Sequence, residues 1–241
     1  MHTGNGRVLE LILADGYQYL RLSCPENLIP APGQYLLAGD GSDSPLPVPV
    51  FYTDSAPQGF IGTASKIWDP GKILSLRGPL GRGFTLPLSA RKVGLVAFDD
   101  SPARLRGLIH SALAQGASVV LVCDSSSEDL PDDVEVQPLS GLDEILPWAD
   151  YIAFDVSRDN LSALVKRLAR WIQPQPLTPR SAVARNDVQL LVRTQIPCGS
   201  IAECGVCAVV TTSGWKMACK DGPVFDLSEL PNFSTGAQDN R

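Results

Sequence analysis

Histidine is almost missing from this sequence: His2 and His110 are the two in 241 residues. His2 lies in a polar opening segment expected to fray, and His110 falls inside a helical run, so neither offers a general base. No Ser/His/Asp arrangement, no paired carboxylates with a matching base and no phosphate loop accompany them, which leaves hydrolytic and transferase chemistry without support. Long apolar runs are absent as well. Val119 to Cys123 is typical of the longest, far below the ~18 to 20 residues a membrane span needs. The polar start from Met1 to Arg7 lacks the apolar stretch of a secretory signal. The expectation is a soluble cytoplasmic protein with no membrane span. Positive charge is also in short supply, 20 Lys and Arg against 26 Asp and Glu, a formal charge of −6. No basic run could track a phosphate backbone, which argues against nucleic acid as a partner.

What is present suffices for a folded chain of two compact units, or one with an appendage: 44% of residues are hydrophobic. The first 90 residues read as about six short strands with turn residues between them, among them Arg7 to Leu13, Tyr17 to Leu22, Pro32 to Leu37, Pro47 to Tyr52 and Lys72 to Arg77. That spacing predicts a small β-barrel or sandwich. Pro47 and Pro49 place their run at an edge or a bulge. From Arg91 the pattern alternates. Val93 to Phe98 and Ser118 to Cys123 read as strands around an amphipathic helix from Pro102 to Gln115, and Val134 to Val136 and Tyr151 to Phe154 as further strands. Asn160 to Ile172 reads as a helix with Leu161, Leu164, Val165 and Leu168 on its core face. Pro174, Pro176 and Pro179 mark a linker, and Asp187 to Arg193 reads as a strand leading into a cysteine cluster.

Of the six cysteines, Cys24 and Cys123 follow strand patterns and read as small core residues. The other four, Cys198, Cys204, Cys207 and Cys219, form C-x5-C-x2-C-x11-C. Three thiols on one tight loop and a fourth across a short excursion can converge on one centre. The nearest pattern with a mechanism is the plant-type [2Fe-2S] arrangement, in which a loop wraps the cluster and aims backbone N–H groups at sulfur. Gly199 and Gly205 suit such a loop. Zinc is the competing occupant, although four-cysteine zinc sites usually show two close pairs rather than a triplet plus one.

Three segments then carry a family resemblance: Ala218 to Phe225, the cysteine triplet before it, and Leu76-Arg-Gly-Pro-Leu-Gly-Arg-Gly-Phe84. Together they resemble the electron-transfer subunit of class B dihydroorotate dehydrogenase, within the ferredoxin-reductase-like flavoproteins. The resemblance implies a multi-domain β plus α/β chain: an FAD-binding-like barrel over residues 1–90, a nucleotide-binding-like α/β domain over 91–180 and a [2Fe-2S] domain over 181–241. It implies that Cys198, Cys204, Cys207 and Cys219 ligate the cluster, although the family has one residue fewer between the first two. Gly62 and Thr63 match the step beside the flavin phosphates, and Gly78, Pro79, Leu80 and Gly81 a second FAD segment. The implied function is an oxidoreductase component of pyrimidine biosynthesis, not a stand-alone catalyst. It would carry the [2Fe-2S] cluster, with FAD in the barrel if the barrel retains it, and relay electrons to or from a flavin-containing catalytic subunit in a hetero-oligomer.

Both nucleotide signatures depart from that family. Its Arg-Pro-x-Ser stretch is Val48-Pro-Val-Phe51 here, with no guanidinium for a diphosphate. Arg77 and Arg82 are the nearest candidates to replace it. The glycine-rich turn after the first α/β strand is replaced by Ala97-Phe-Asp-Asp-Ser-Pro102, where Asp99 and Asp100 bring negative charge to the place of a pyrophosphate. Ser101 and Pro102 still make a good helix start. NAD is therefore not expected. The rival reading is a non-catalytic subunit that has lost both nucleotides and keeps iron–sulfur or zinc to organise an interface.

Overall fold

A computed structural model describes residues 1–14, 17–42, 46–125, 129–172 (side chains to 169) and 187–231. The N-terminal strands β1 (His2–Ala14), β2 (Tyr17–Ser23), β3 (Tyr35–Gly39), β4 (Val48–Ala56), β5 (Gly59–Ala64) and β6 (Ile73–Leu80) close into a barrel in the order β1-β2-β5-β4-β3-β6. Alternating side chains fill it: Val8, Leu20, Leu22, Leu36, Val50, Phe60, Leu74 and Leu76 are all buried in one cluster. Closure removes the edge expected at Pro47 and Pro49. Pro49 lies opposite Leu37 at the start of β4, where a missing N–H costs little. His2 is not frayed either; it pairs with Gly78 of β6.

The second layer is a six-stranded sheet, ordered β14-β11-β10-β7-β8-β9. Its parallel strands are β7 (Lys92–Ala97), β8 (Ser118–Val122), β9 (Val134–Gln137), β10 (Tyr151–Ser157) and β11 (Val188–Arg193), with β14 (Val224–Asp226) antiparallel at the edge. A short 3-10 turn over Pro102–Leu105 leads into α1 (Arg106–Ala114), and the Ser101 hydroxyl caps it by accepting from the Ala103 N–H at 3.1 Å. Helices α2 (Leu142–Trp148) and α3 (Arg158–Ile172) pack against the sheet, and Leu164, Val165 and Leu168 bury the face expected for α3. The proline linker lies outside the described residues. Among the described residues no helix is long and apolar enough to cross a membrane.

The sheet crosses the boundary expected at residue 180. β11 pairs in parallel with β10, and β14 pairs with β11. Leu190, Val192 and Phe225 share one buried cluster with Phe154, Val156 and Leu168, and Cys207 and Cys219 also belong to it. The cluster segment is thus built onto the α/β core. Between its third and fourth cysteines runs a hairpin of β12 (Ala208–Thr211) and β13 (Gly214–Met217), followed by the single turn α4 (Ala218–Asp221).

Replacing Leu190, fully buried at the centre of β11, by Ala should cost about 2 to 5 kcal/mol. Because the core is shared, urea unfolding should remain one transition for α/β and C-terminal probes alike; two separated transitions would show independent units.

Candidate functional site

The cysteine loop follows directly from β11. Gly199, Ser200, Ala202 and Gly205 all have positive φ, between 62° and 70°. Alternation of such residues with ordinary backbone curls a chain so that successive N–H groups face inward, a nest suited to anions. The amides of Ile201, Ala202 and Cys204 face the Cys198 sulfur and favour its thiolate, and that of Ala202 acts in the same direction on Cys219. The extra residue of the C-x5-C spacing is absorbed in this curl, and Cys198 stays beside Cys204.

The hairpin accounts for the eleven-residue gap. Ala208 pairs with Met217 and the Ala218 N–H donates to the Cys207 carbonyl at 3.0 Å, so the two ends of the excursion return together and bring Cys207 to Cys219. Cys198 stands beside Cys204 and Cys207 beside Cys219, and Cys198 is also within electrostatic reach of Cys219. Among the described residues no group of three or more His, Cys, Asp or Glu is placed to hold a metal ion as it stands. Two thiol pairs under inward N–H groups fit a binuclear cluster, whose two irons each take two thiolates. Burial pushes the Cys198 thiol up, but the Cys204 thiol and three backbone amides outweigh it and bring it down to about 6. Burial, with Cys207 alongside, pushes Cys219 up to about 12.

The barrel supports this loop. Tyr35, fully buried on β3, donates its hydroxyl to the Cys219 carbonyl at 3.1 Å and contacts the Ser200 hydroxyl at 2.7 Å. Arg77 donates to the Gly199 carbonyl. Arg82 pairs with Glu229 at 2.8 Å and with Asp226. Both arginines considered as substitutes for the flavin cation thus serve the C-terminal segment instead.

The proposed flavin residues are placed as follows. Gly62 lies in β5, where a Cβ would meet Val50 Cγ1 at 2.7 Å and the Phe51 carbonyl at 2.8 Å, and Thr63 pairs with Phe51. Gly78, Pro79 and Leu80 end β6, with Gly78 against Leu36. Gly81 has φ +78°, abuts Gly222 and Pro223, and accepts from the Gln34 amide at 3.0 Å. At Val48 to Phe51, Val50 points into the barrel core and Phe51 packs on Tyr35 with ring centroids 5.2 Å apart. The Gly and Thr positions survive, but the charged donors do not. The cationic fork that commonly meets a diphosphate is absent from this set.

At the C-terminal ends of β7, β10 and β11, where α/β sheets place their ligands, a buried ion network stands. Arg104 bonds Asp155 at 2.7 Å and Asp100 at 2.9 Å. Arg193 bonds Asp155 at 2.7 Å, Asp100 at 3.1 Å and Asp99. Asp99 also accepts from the Ser157 N–H at 3.0 Å and from the Asn160 amide at 2.8 Å. Asp99 and Asp100 are thus not bare repulsive charges: Arg104 and Arg193 hold them.

Residues 196–231 match the iron-sulfur cluster binding domain of dihydroorotate dehydrogenase B. Most of the chain is similar in fold to the NADH-dependent reduced ferredoxin-NADP oxidoreductase described for flavin-based electron bifurcation: TM-score 0.60 and 15% identity, over 94% of this chain and 90% of that one. It also resembles a ferredoxin NADP+ reductase from Neisseria gonorrhoeae with bound FAD and NADP, at TM-score 0.56 and 11% identity over 79% of this chain and 98% of that one. The ferredoxin-NADP+ reductase from Plasmodium falciparum gives TM-score 0.57 and 9% identity, over 78% and 95%. This is the ferredoxin-reductase fold. The resemblance drawn from the sequence is borne out at both levels, by that fold over most of the chain and by the iron–sulfur binding segment at its end.

Burial pushes Asp155 up to about 6 against the pull of Arg104, as expected where three carboxylates face two guanidiniums. The folded value lies above the ordinary 3.8, so the proton is favoured by folding. The stability it contributes is fully present below about pH 4 and is lost as pH rises through 6. The Tm of the wild type minus that of Asp155→Asn should accordingly fall between pH 4 and pH 7; a difference that grows over this range contradicts the assignment.

Proposed function

We propose that the chain is an electron-transfer subunit whose Cys198, Cys204, Cys207 and Cys219 hold a [2Fe-2S] cluster and pass single electrons to or from a flavin-containing, dihydroorotate dehydrogenase-like catalytic subunit. The observation that carries this reading is the gathering of four thiols in two pairs beneath the amides of Ile201, Ala202 and Cys204, within the segment that matches the iron–sulfur domain. When bound, the cluster supplies one-electron redox chemistry, with a potential set by hydrogen bonds to sulfur and by exposure. The chain's residues make and break no bonds. The loop amides hold negative charge on sulfur, the hairpin fixes the second thiol pair, and the barrel and sheet anchor both against movement.

The partner supplies the substrate chemistry. One feature favours a protein rather than a nicotinamide nucleotide as the other electron carrier: the Asp99, Asp100, Asp155, Arg104 and Arg193 network in the crevice. The expected locale is the cytoplasm, and no nucleic acid is expected as a partner.

The test is analysis of anaerobically purified protein for iron, acid-labile sulfide, zinc and released flavin on one sample. About two irons and two sulfides per chain are expected; zinc, or no metal, overturns the redox reading in favour of a structural subunit. Cys207→Ser should abolish or strongly alter the cluster's visible spectrum, whereas Cys123→Ser, buried between strands, should leave the spectrum intact at some cost in stability. NADH added in excess should not bleach the isolated subunit, and rapid bleaching would show that the crevice opens to nucleotide.

A further inference from the structure

We propose that Tyr35 is a positioning residue for the cluster, the contact through which the barrel fixes the geometry and tunes the potential of the cysteine loop. The inference rests on the electron-transfer reading above and adds a residue outside the matched segment. Tyr35 stands at a junction of three parts of the fold. On β3 it pairs with Phe51 of β4 on one side and with Leu80 of β6 on the other, between the two stretches where the flavin signatures would lie. Its ring packs on Phe51 and enters the core shared with the sheet, while its hydroxyl reaches the cysteine segment.

The bonding pattern follows from proton count. A phenol has one O–H, and Tyr35 spends it on the Cys219 carbonyl at 3.1 Å. The Ser200 hydroxyl, 2.7 Å away, therefore donates to the phenolic oxygen. One buried oxygen thus ties together the curl that follows Cys198 and the turn that presents Cys219, the first and last thiols of the set. Ser200 sits at φ +64°, a conformation that an L residue adopts at a cost, so this bond also holds a backbone position that would otherwise relax. In addition, the O–H dipole directs its positive end at the Cys219 peptide. Such a dipole favours the reduced cluster, which carries one more negative charge, over the oxidised one.

Tyr35→Phe keeps the ring and its packing and removes the hydroxyl alone. Two readouts decide the matter. In the metal-free full chain, hydrogen exchange of the amides at 198–204 should rise about fivefold in Tyr35→Phe, the fold-change for one lost buried hydrogen bond, while the β11 amides are unchanged. In the iron-loaded chain the midpoint potential should fall. Ser200→Ala should reproduce part of the exchange effect, and the double variant should be no worse than Tyr35→Phe alone, since both changes remove the same link.

Unchanged exchange and potential overturn the proposal. Faster exchange with an unaltered potential also overturns it, since the contact then fails to reach the cluster. An equal rise in β11 would reduce Tyr35 to an ordinary core residue. If the wild type carries no iron and sulfide, the electron-transfer reading fails, and the exchange measurement on the metal-free chain still decides whether Tyr35 sets the loop.

Discussion

The parallel pairing of β11 with β10 is the constraint on which the candidate site depends. It carries the chain out of the sheet at Arg193, five residues before the first thiol, and Arg193 is itself fixed by Asp99, Asp100 and Asp155. Isolated charges of this kind are costly to bury, and their pairing makes the arrangement tolerable without making it a large source of stability. Their value lies in position: Arg193 at the end of β11 is tied to three carboxylates of neighbouring segments, which fixes the point from which the chain enters the cysteine loop.

Two mechanisms then shape the thiol set. Cys198 and Cys204 are brought together by local backbone curvature, with residues at positive φ turning amides inward. Cys207 and Cys219 are brought together by strand pairing at a distance, across β12 and β13. The first pair depends on turn chemistry and the second on a ladder of hydrogen bonds. The barrel joins the two through Tyr35 and Arg77.

Periodicity made the larger architecture readable. Alternating apolar residues announced the barrel strands, the run of Leu161, Leu164, Val165 and Leu168 announced α3, and Ser101-Pro102 announced the start of the first α/β helix. The cysteine spacing marked the candidate site. What stayed hidden involves pairs distant in sequence. Asp99 reads as a repulsive charge because its partner Arg193 lies 94 residues away. Tyr35 reads as one more barrel residue because Ser200 is 165 residues away. The hairpin of β12 and β13 and the three-residue β14 are too short for a periodic signal. The boundary at residue 180 came from the resemblance and the proline linker, whereas the sheet that crosses it is set by pairing.

The position of β14 has a consequence for synthesis of the chain. This edge strand begins at Val224, after the last cysteine at Cys219, and it covers the open side of β11. Until it has left the ribosome, β11 presents unpaired backbone along one edge. All four thiols therefore exist before the sheet beneath them can be completed, so the candidate site is synthesised while its support is still unfinished.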